Sequence, residues 1–300
     1  MIVPDLGELL ALRGAAHGLS LRGRRTARAT LLGAHTSVQR GRGLEFQEVR
    51  PYVPGDDPRN IDWRVTARRG RPHTKLFREE REQPVWLLVD LQPGLFFGSR
   101  RQLKSALVVR TAALLAWVAS LGGDRVGAVI AHGPAQIRIL PPRGRETGVL
   151  PLLDALLQSQ PKAPGQPSPL ALEEALRALL PLVRPGSQIL AVSDFAGLRE
   201  EADSLWTALA AHTDLRLFWV TDPLEEAGLP NGRFRAGLPG RLRILEGARV
   251  RERWQQAWRE REARIASLSQ GSAAPIVRLD TREAVEQVLR PLLRPRLSAA

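Results

Sequence analysis

The sequence predicts an α/β protein: a doubly wound, mainly parallel sheet, with a smaller β-rich module and an N-terminal helix ahead of it. Between residues 85 and 222, continuous apolar runs alternate with helical segments. Strands covered on both faces read as unbroken apolar runs, and strands alternating with helices build parallel sheets. Three of these runs close on an acid, at Asp90, Asp194 and Asp222. In a wound sheet such ends gather along one edge, where ligands bind if strand order reverses. The chain has 300 residues, of which 43% are hydrophobic and 25% charged. That is enough to bury a core without disulfide or metal staples.

The elements follow in order. Residues 1–32 hold a helix and a basic stretch. Asp5 and Glu8 have capping-box spacing ahead of Leu6, Leu9, Leu10 and Leu12. Residues 33–83 form the small β-rich module. Residues 44–49 alternate as a strand does, and residues 73–77 are its expected partner. Between them Pro54-Gly55-Asp56-Asp57-Pro58-Arg59 reads as a turn, with Asp57 capping a short helix that starts at Pro58.

Residues 84–300 are the α/β domain. A strand at 85–90 leads through a Pro-Gly turn to an apolar helix over 103–121. Lys104 and Arg110 interrupt that helix, so it reads as buried core and not as a bilayer span. Apolar runs follow at 125–131 and 136–140, then a four-proline loop at 161–169. Helices at 170–183 and 202–211 alternate with runs at 188–193 and 215–221. Short strand-like pieces at 233–235 and 242–245 suggest a β-hairpin insertion near 230–246. A charged helix at 248–268 carries Val250, Trp254, Trp258 and Ile265 near one face. A strand at 275–280 and a helix at 283–293 close the pattern.

Lysine and arginine number 44 against 31 acids, a net charge of +13, and all but three of the 44 are arginine. The excess sits on both flanks: +6 over residues 1–82, +1 over 83–222 and +6 over 223–300. Residues 9–44 contain no acid, but they hold Arg13, Arg22, Arg24, Arg25, Arg28, Arg40 and Arg42. Such a stretch suits an acidic protein, an anionic membrane surface or nucleic acid. It has no Phe, Tyr or Trp on which bases would stack, which weighs against nucleic acid. The chain has no cysteine, which excludes disulfides, thiolate metal sites and cysteine nucleophiles. Asp5 and Glu8 break the first apolar stretch, so the expectation is a cytoplasmic protein without a signal peptide or transmembrane segment.

Enzyme signatures are missing. There is no phosphate-binding Gly-x-x-x-x-Gly-Lys-Ser/Thr loop, no Gly-x-Ser-x-Gly and no His-Glu-x-x-His. His17, His35, His73, His132 and His212 are isolated in sequence. Asp56, Asp57 and Asp62 lie close together, but Arg50, Arg59, Arg64 and Arg68 are interleaved with them. That mixture favours structural ion pairs around a Trp63 anchor over acid–base chemistry.

One long motif is distinctive: Phe46-x-x-x-Arg50-x-Tyr52-x-Pro54-Gly55-Asp56-Asp57-x-Arg59-x-Ile61-Asp62-Trp63, continuing through Ala67-Arg68 and Glu80. Together with Leu87-Leu88-Val89-Asp90, Ser193-Asp194-Phe195, Thr221-Asp222-Pro223-Leu224-Glu225 and Arg278-Leu279-Asp280-Thr281, it resembles the family called domain of unknown function 58. The resemblance runs from about Gly33 to Thr281. It implies a von Willebrand factor A-like sheet and a partnership with MoxR-type AAA+ ATPases. In that fold an Asp-x-Ser-x-Ser loop, a Thr and an Asp surround Mg²⁺, which takes oxygen ligands at about 2.0–2.1 Å. The correspondence here is degenerate. Asp90 holds the first position, Gln92 and Gly94 replace the serines, Ser168 stands in for the Thr, and Asp194 matches the last Asp. Mg²⁺ is the cation such a set would take, with Asp90, Gln92, Ser168 and Asp194 as ligands, although no motif demands a cofactor. The resulting expectation is a non-enzymatic adaptor or scaffold for a MoxR-like ATPase. It would present Asp90 and Asp194 at the sheet's rim as a docking surface. The alternatives are a basic nucleic-acid-binding protein and a metal-dependent hydrolase built on the same two aspartates.

Overall fold

A computed structural model of the chain describes residues 3–21, 44–79, 83–133, 136–238 and 241–295. Two compact units form, Met1–Arg22 with Gln83–Ala300, and Gly23–Glu82. Of the acid-free stretch, Arg22, Arg24, Arg25, Arg28, Arg40 and Arg42 lie outside the described residues, as does Glu80 of the motif.

The larger unit is a mixed α/β body around a mainly parallel sheet. Its strands are β4 (Pro84–Asp90), β5 (Arg125–Gly133), β6 (Gln136–Gly144), β7 (Gln188–Ser193), β8 (Asp214–Thr221) and β11 (Ile276–Asp280). They lie in the order β11-β8-β7-β4-β5-β6. Leu88 is opposite Ala191 on one side and Val129 on the other, so β4 is central and parallel to both neighbours. From β4 the chain steps one way to β5 and later the other way to β7, which sets the order reversal between β4 and β7. Strand β6 departs from the parallel pattern. The link from β5 is too short for a crossover, so β6 returns antiparallel at the edge. Its Pro141 and Pro142 are compatible with an edge strand, where a missing N–H breaks no ladder.

Helices cover both faces. On one side lie α1 (Leu6–Ala16), α3 (Lys104–Leu121), α4 (Glu146–Ser159) and α9 (Val285–Leu289); α2 (Trp63–Arg69) belongs to the smaller unit. The Asp5 carboxylate accepts from the Glu8 amide at 2.8 Å and caps α1. Leu9, Leu12 and Ala16 then bury against α3, and Trp117 Nε1 donates to the Leu9 carbonyl at 2.9 Å. Helix α3 is long and apolar enough to cross a bilayer, but every residue from Lys104 to Ala119 is buried inside this unit, as a core helix is. Helix α4 was not anticipated. Pro151 interrupts its interior and masks the periodicity of Val149, Leu152, Leu153 and Leu156.

On the other face lie α5 (Ala171–Leu179), α6 (Asp203–His212) and α8 (Gly247–Ser272). Trp258, Ile265 and Leu268 of α8 are buried. Trp258 stacks on Trp219 with ring centroids 5.1 Å apart, and the Arg278 guanidinium lies over both rings. Strands β9 (Arg233–Leu238) and β10 (Arg241–Glu246) make a separate antiparallel hairpin. The helix expected over 283–293 is confined to Val285–Leu289, and a two-stranded pairing of β1 (Leu19–Ser20) with β12 (Arg294–Pro295) follows it.

In the smaller unit β2 (Leu44–Pro51) runs antiparallel to β3 (His73–Glu79), with Val49 opposite Lys75 and a bulge between Phe46 and Glu48. Between the strands lie a single 3₁₀ turn, Pro58–Asn60, and helix α2 (Trp63–Arg69), which sequence patterning missed. Gly70 ends α2 with φ +68°, the left-handed conformation that glycine adopts without Cβ strain.

Candidate functional site

Asp90 ends β4 and Asp194 follows β7, so the order reversal sets the two side by side at the carboxyl edge of the sheet. The hydroxyl of Ser193 donates to Asp90 Oδ2 at 2.7 Å, and the Gln92 amide donates to Asp90 Oδ1 at 3.1 Å. Ser193 Oγ also accepts from the Phe195 amide at 2.8 Å, where the chain turns through a left-handed φ of +52° at Phe195. Asp194 accepts from Lys104 Nζ at 2.5 Å and from the Ala196 amide at 3.0 Å. Lys104 Nζ donates as well to Glu225 Oε1 at 2.8 Å, and Arg261 Nη1 reaches the same oxygen at 3.0 Å. Lys104, Asp194, Glu225 and Arg261 thus form an electrically neutral chain of ion pairs.

Burial governs the electrostatics. Desolvation, joined by the charge on Asp194, pushes the Asp90 carboxyl up to about 6. Asp194 is buried too, but Lys104 overcomes that penalty and holds its carboxyl below the ordinary range. Lys104 mirrors this: burial works against its charge, and the carboxylates of Asp194 and Glu225 more than offset it. Asp90 and Gln92 are each 3% exposed and Asp194 6%. The two aspartates therefore adjoin as expected, but they do not form the exposed docking rim that the sequence suggested. The loops after β4 and β7 and the start of α3 supply partners to them through Gln92, Ala196 and Lys104.

The proposed Mg²⁺ ligands are already engaged. Gln92 Oε1 accepts from the Ser168 amide at 2.7 Å, and Ser168 Oγ accepts from the Leu170 amide at 3.3 Å. Asp194 Oδ2 carries the Lys104 ammonium and Oδ1 accepts from the Ala196 amide. Octahedral Mg²⁺ requires six oxygens with free lone pairs, and this donor set, with its positive charge already in place, does not fit it. Among the described residues no group of three His, Asp or Glu side chains forms a metal cage.

Asp222, the third strand-end acid, is a structural hub. It accepts from Ser99 Oγ at 2.5 Å, the Ser99 amide at 2.8 Å, Thr281 Oγ at 2.6 Å and the Leu224 amide at 3.0 Å. It forms a capping box with Glu225 at the start of α7 (Pro223–Ala227). The Ser99 and Thr281 hydrogen bonds outweigh burial and lower its carboxyl below the ordinary range.

The long motif builds a framework in the smaller unit. Arg50 pairs with Asp56 at 2.7 Å, Asp56 Oδ2 accepts from the Val53 amide at 3.0 Å, and the Tyr52 hydroxyl donates to the Asp56 carbonyl at 3.3 Å. The Val53 amide and Arg50 lower the Asp56 carboxyl. Asp57 caps the 3₁₀ turn through the Arg59 amide at 3.0 Å. Asp62 caps α2 through the amides of Arg64 at 3.0 Å and Val65 at 3.1 Å, and Lys75 lies 3.5 Å away. Trp63 is no anchor: at the first position of α2 its side chain turns outward and is 70% exposed. Val53 is 53% exposed and Arg59 and Arg64 are exposed as well.

Sequence reasoning missed Lys104, Glu225 and Arg261. In sequence Lys104 reads only as an interruption in an apolar helix, although a lone lysine among fifteen other buried residues of that helix demands buried carboxylates. Glu225 also borders a groove of about 280 Å³ lined by Val250, Arg253, Trp254, Trp258 and Arg261.

Three curated mycobacterial proteins, uncharacterised protein Mb1516 of Mycobacterium bovis and MT1527 and Rv1480 of Mycobacterium tuberculosis, are each 36% identical to this chain over 216 residues. The match covers 71% of this chain and 66% of each relative's length. Among solved structures, BatB from Bacteroides thetaiotaomicron aligns at 17% identity with a TM-score of 0.44, covering 70% of this chain and 98% of that one. An aerotolerance-related membrane protein from Bacteroides fragilis aligns at 15% identity with a TM-score of 0.45, covering 69% and 97%. The family described as protein of unknown function DUF58 matches residues 48–264, a span holding Arg50 to Trp63 of the motif and all three strand-end aspartates, and the chain belongs to that family.

Proposed function

We propose that this chain is a non-enzymatic protein-interaction module of von Willebrand factor A-like type. In this reading it is a cytoplasmic adaptor or scaffold for a MoxR-type AAA+ ATPase in the assembly or maturation of another complex. The observation that carries the reading is Trp63. Five motif residues, Arg50, Tyr52, Asp56, Asp57 and Asp62, spend their polar groups on a rigid turn and two helix starts. The indole that follows is left 70% exposed. An ordered framework around an exposed tryptophan is what a binding hot spot needs, because the ring is held in place before it is covered. The strand-end acids support the non-enzymatic part, since Asp90, Asp194 and Asp222 are each held by internal donors. The net charge of +13 would steer the chain toward an acidic surface, raising the on-rate more than the affinity.

The test is affinity purification of the tagged chain from its native host, alongside Trp63→Ala. The intact chain should recover an AAA+ ATPase, and the variant should lose it with its unfolding midpoint unchanged. Repeated recovery of no ATPase by the intact chain would refute the reading.

A further inference from the structure

Lys104 stands at the first position of α3, after Leu103 at the N-cap. The helix dipole disfavours a cation there, and anions are the normal occupants of that end. The residue is also 2% exposed, and burial of an ammonium is costly unless it is paired. Three groups enclose it: Asp194 Oδ2 at 2.5 Å, Glu225 Oε1 at 2.8 Å and the ring of Phe97, whose centroid is 5.8 Å away. These contacts tie the start of α3 to the loop after β7 and to α7, which are 90 and 121 residues distant in sequence. Cross-linking strand-end loops through a shared positive charge is the structural work that a bound divalent ion performs elsewhere.

We propose that the ammonium of Lys104 is the resident cation of this site. It is covalently tethered, it holds the carboxyl-edge loops together, and it keeps the site closed to divalent metals. Mg²⁺ and Mn²⁺ therefore play no part in ordering this edge in the intact chain. Removing the amine leaves a space lined by Asp194, now without its ion-pair partner, and by Glu225, which keeps only Arg261, with Asp90 hydrogen-bonded to the adjoining Ser193. Hard cations prefer such an oxygen-lined space. The basis is a juxtaposition of side chains and holds whether or not an ATPase is the partner.

The experiment is Mn²⁺ titration, followed by electron paramagnetic resonance and by thermal unfolding, of the intact chain, Lys104→Ala, Asp194→Asn and the Lys104→Ala/Asp194→Asn double variant. The intact chain should bind no Mn²⁺ at millimolar concentration, and its melting temperature should not respond. Lys104→Ala should melt lower than the intact chain, bind one Mn²⁺ at least about tenfold more tightly, and recover part of its melting temperature with Mn²⁺. It should also recover with methylammonium, which restores the lost group without the tether. The double variant should lose both responses. The proposal is overturned if the intact chain binds one Mn²⁺ that Asp194→Asn abolishes. It is equally overturned if folded Lys104→Ala responds to neither cation. Should Lys104→Ala be insoluble, Lys104→Ser purified with and without Mn²⁺ gives the same decision, recovery of soluble protein by the metal supporting the proposal and indifference to it counting against.

Discussion

Cutting the tether at Lys104 without replacing its charge should destabilise the fold far more than any surface ion pair would. The Lys104 and Asp194 side chains are 3% and 8% exposed, so solvent screens neither. Lys104→Met keeps the length of the aliphatic stem and deletes the ammonium, leaving Asp194 buried against Asp90 and Glu225 with its ion-pair partner gone and only the more distant charge of Arg261 to offset it. Breaking one half of a buried pair typically costs about 3–5 kcal/mol, against roughly 0–1 kcal/mol for an exposed pair. For a body of this size that is a melting-temperature loss on the order of 10 °C. Asp194→Asn alone should be milder, because Lys104 keeps Glu225. The Lys104→Met/Asp194→Asn double variant removes one charge of each sign and leaves Glu225 paired with Arg261 at 3.0 Å. It should be more stable than the sum of the single losses by about 2 kcal/mol or more, the signature of directly coupled residues. Urea unfolding at pH 7, followed by tryptophan fluorescence, measures all four corners of the cycle. Additivity to within about 0.5 kcal/mol, the behaviour of independent sites, would refute the argument.

Other expectations follow from the same geometry. Asp90 has its carboxyl pushed up to about 6 from 3.8, so the ionised form is disfavoured in the fold. The associated cost is absent below pH 3.8, grows as pH rises, and is complete above about 6, where it amounts to about 3 kcal/mol at 1.36 kcal/mol per pH unit. Asp90→Asn, whose amide can still donate to Ser193 Oγ and accept from the Gln92 amide, should therefore be more stable than the intact chain at pH 7.5, with the advantage shrinking toward pH 4. An equal effect at both pH values, read from melting curves, would contradict this. Asp62→Ala removes the cap of α2 and should lower the stability of the smaller unit by about 1 kcal/mol, visible as faster amide exchange at Arg64 and Val65. A Cβ at Gly148 would lie 2.2 Å from the Arg143 carbonyl oxygen, so Gly148→Ala should cost about 1–3 kcal/mol in a urea titration. Gly14→Ala, with open space around its Cβ inside α1, should be neutral or stabilising by up to about 1 kcal/mol.

The parts that were legible in the sequence are those whose physics is local. Val85–Asp90 and Gln188–Ser193 show their burial on both faces as unbroken apolar runs, and the caps at Asp5 and Asp57 act over two or three residues. The parallel core and the adjacency of Asp90 and Asp194 follow from that pattern together with the order in which strands are wound. Helix α4 escaped because Pro151 interrupts its rhythm, and α2 because seven residues after a turn-rich stretch leave too little periodicity to read. Whether Trp63 is sheltered or bare also had no local signal, since its neighbours in sequence are the same in either case.

Local pattern alone thus determined the wound sheet, its acidic strand ends and the capped motif. Only the folded chain decided what those acids face. Lys104 meets its two carboxylates across 90 and 121 residues of sequence. An interaction over that separation is set by packing of the whole sheet and not by any neighbour in the chain, so no window of residues announces that an ammonium lies between Asp194 and Glu225.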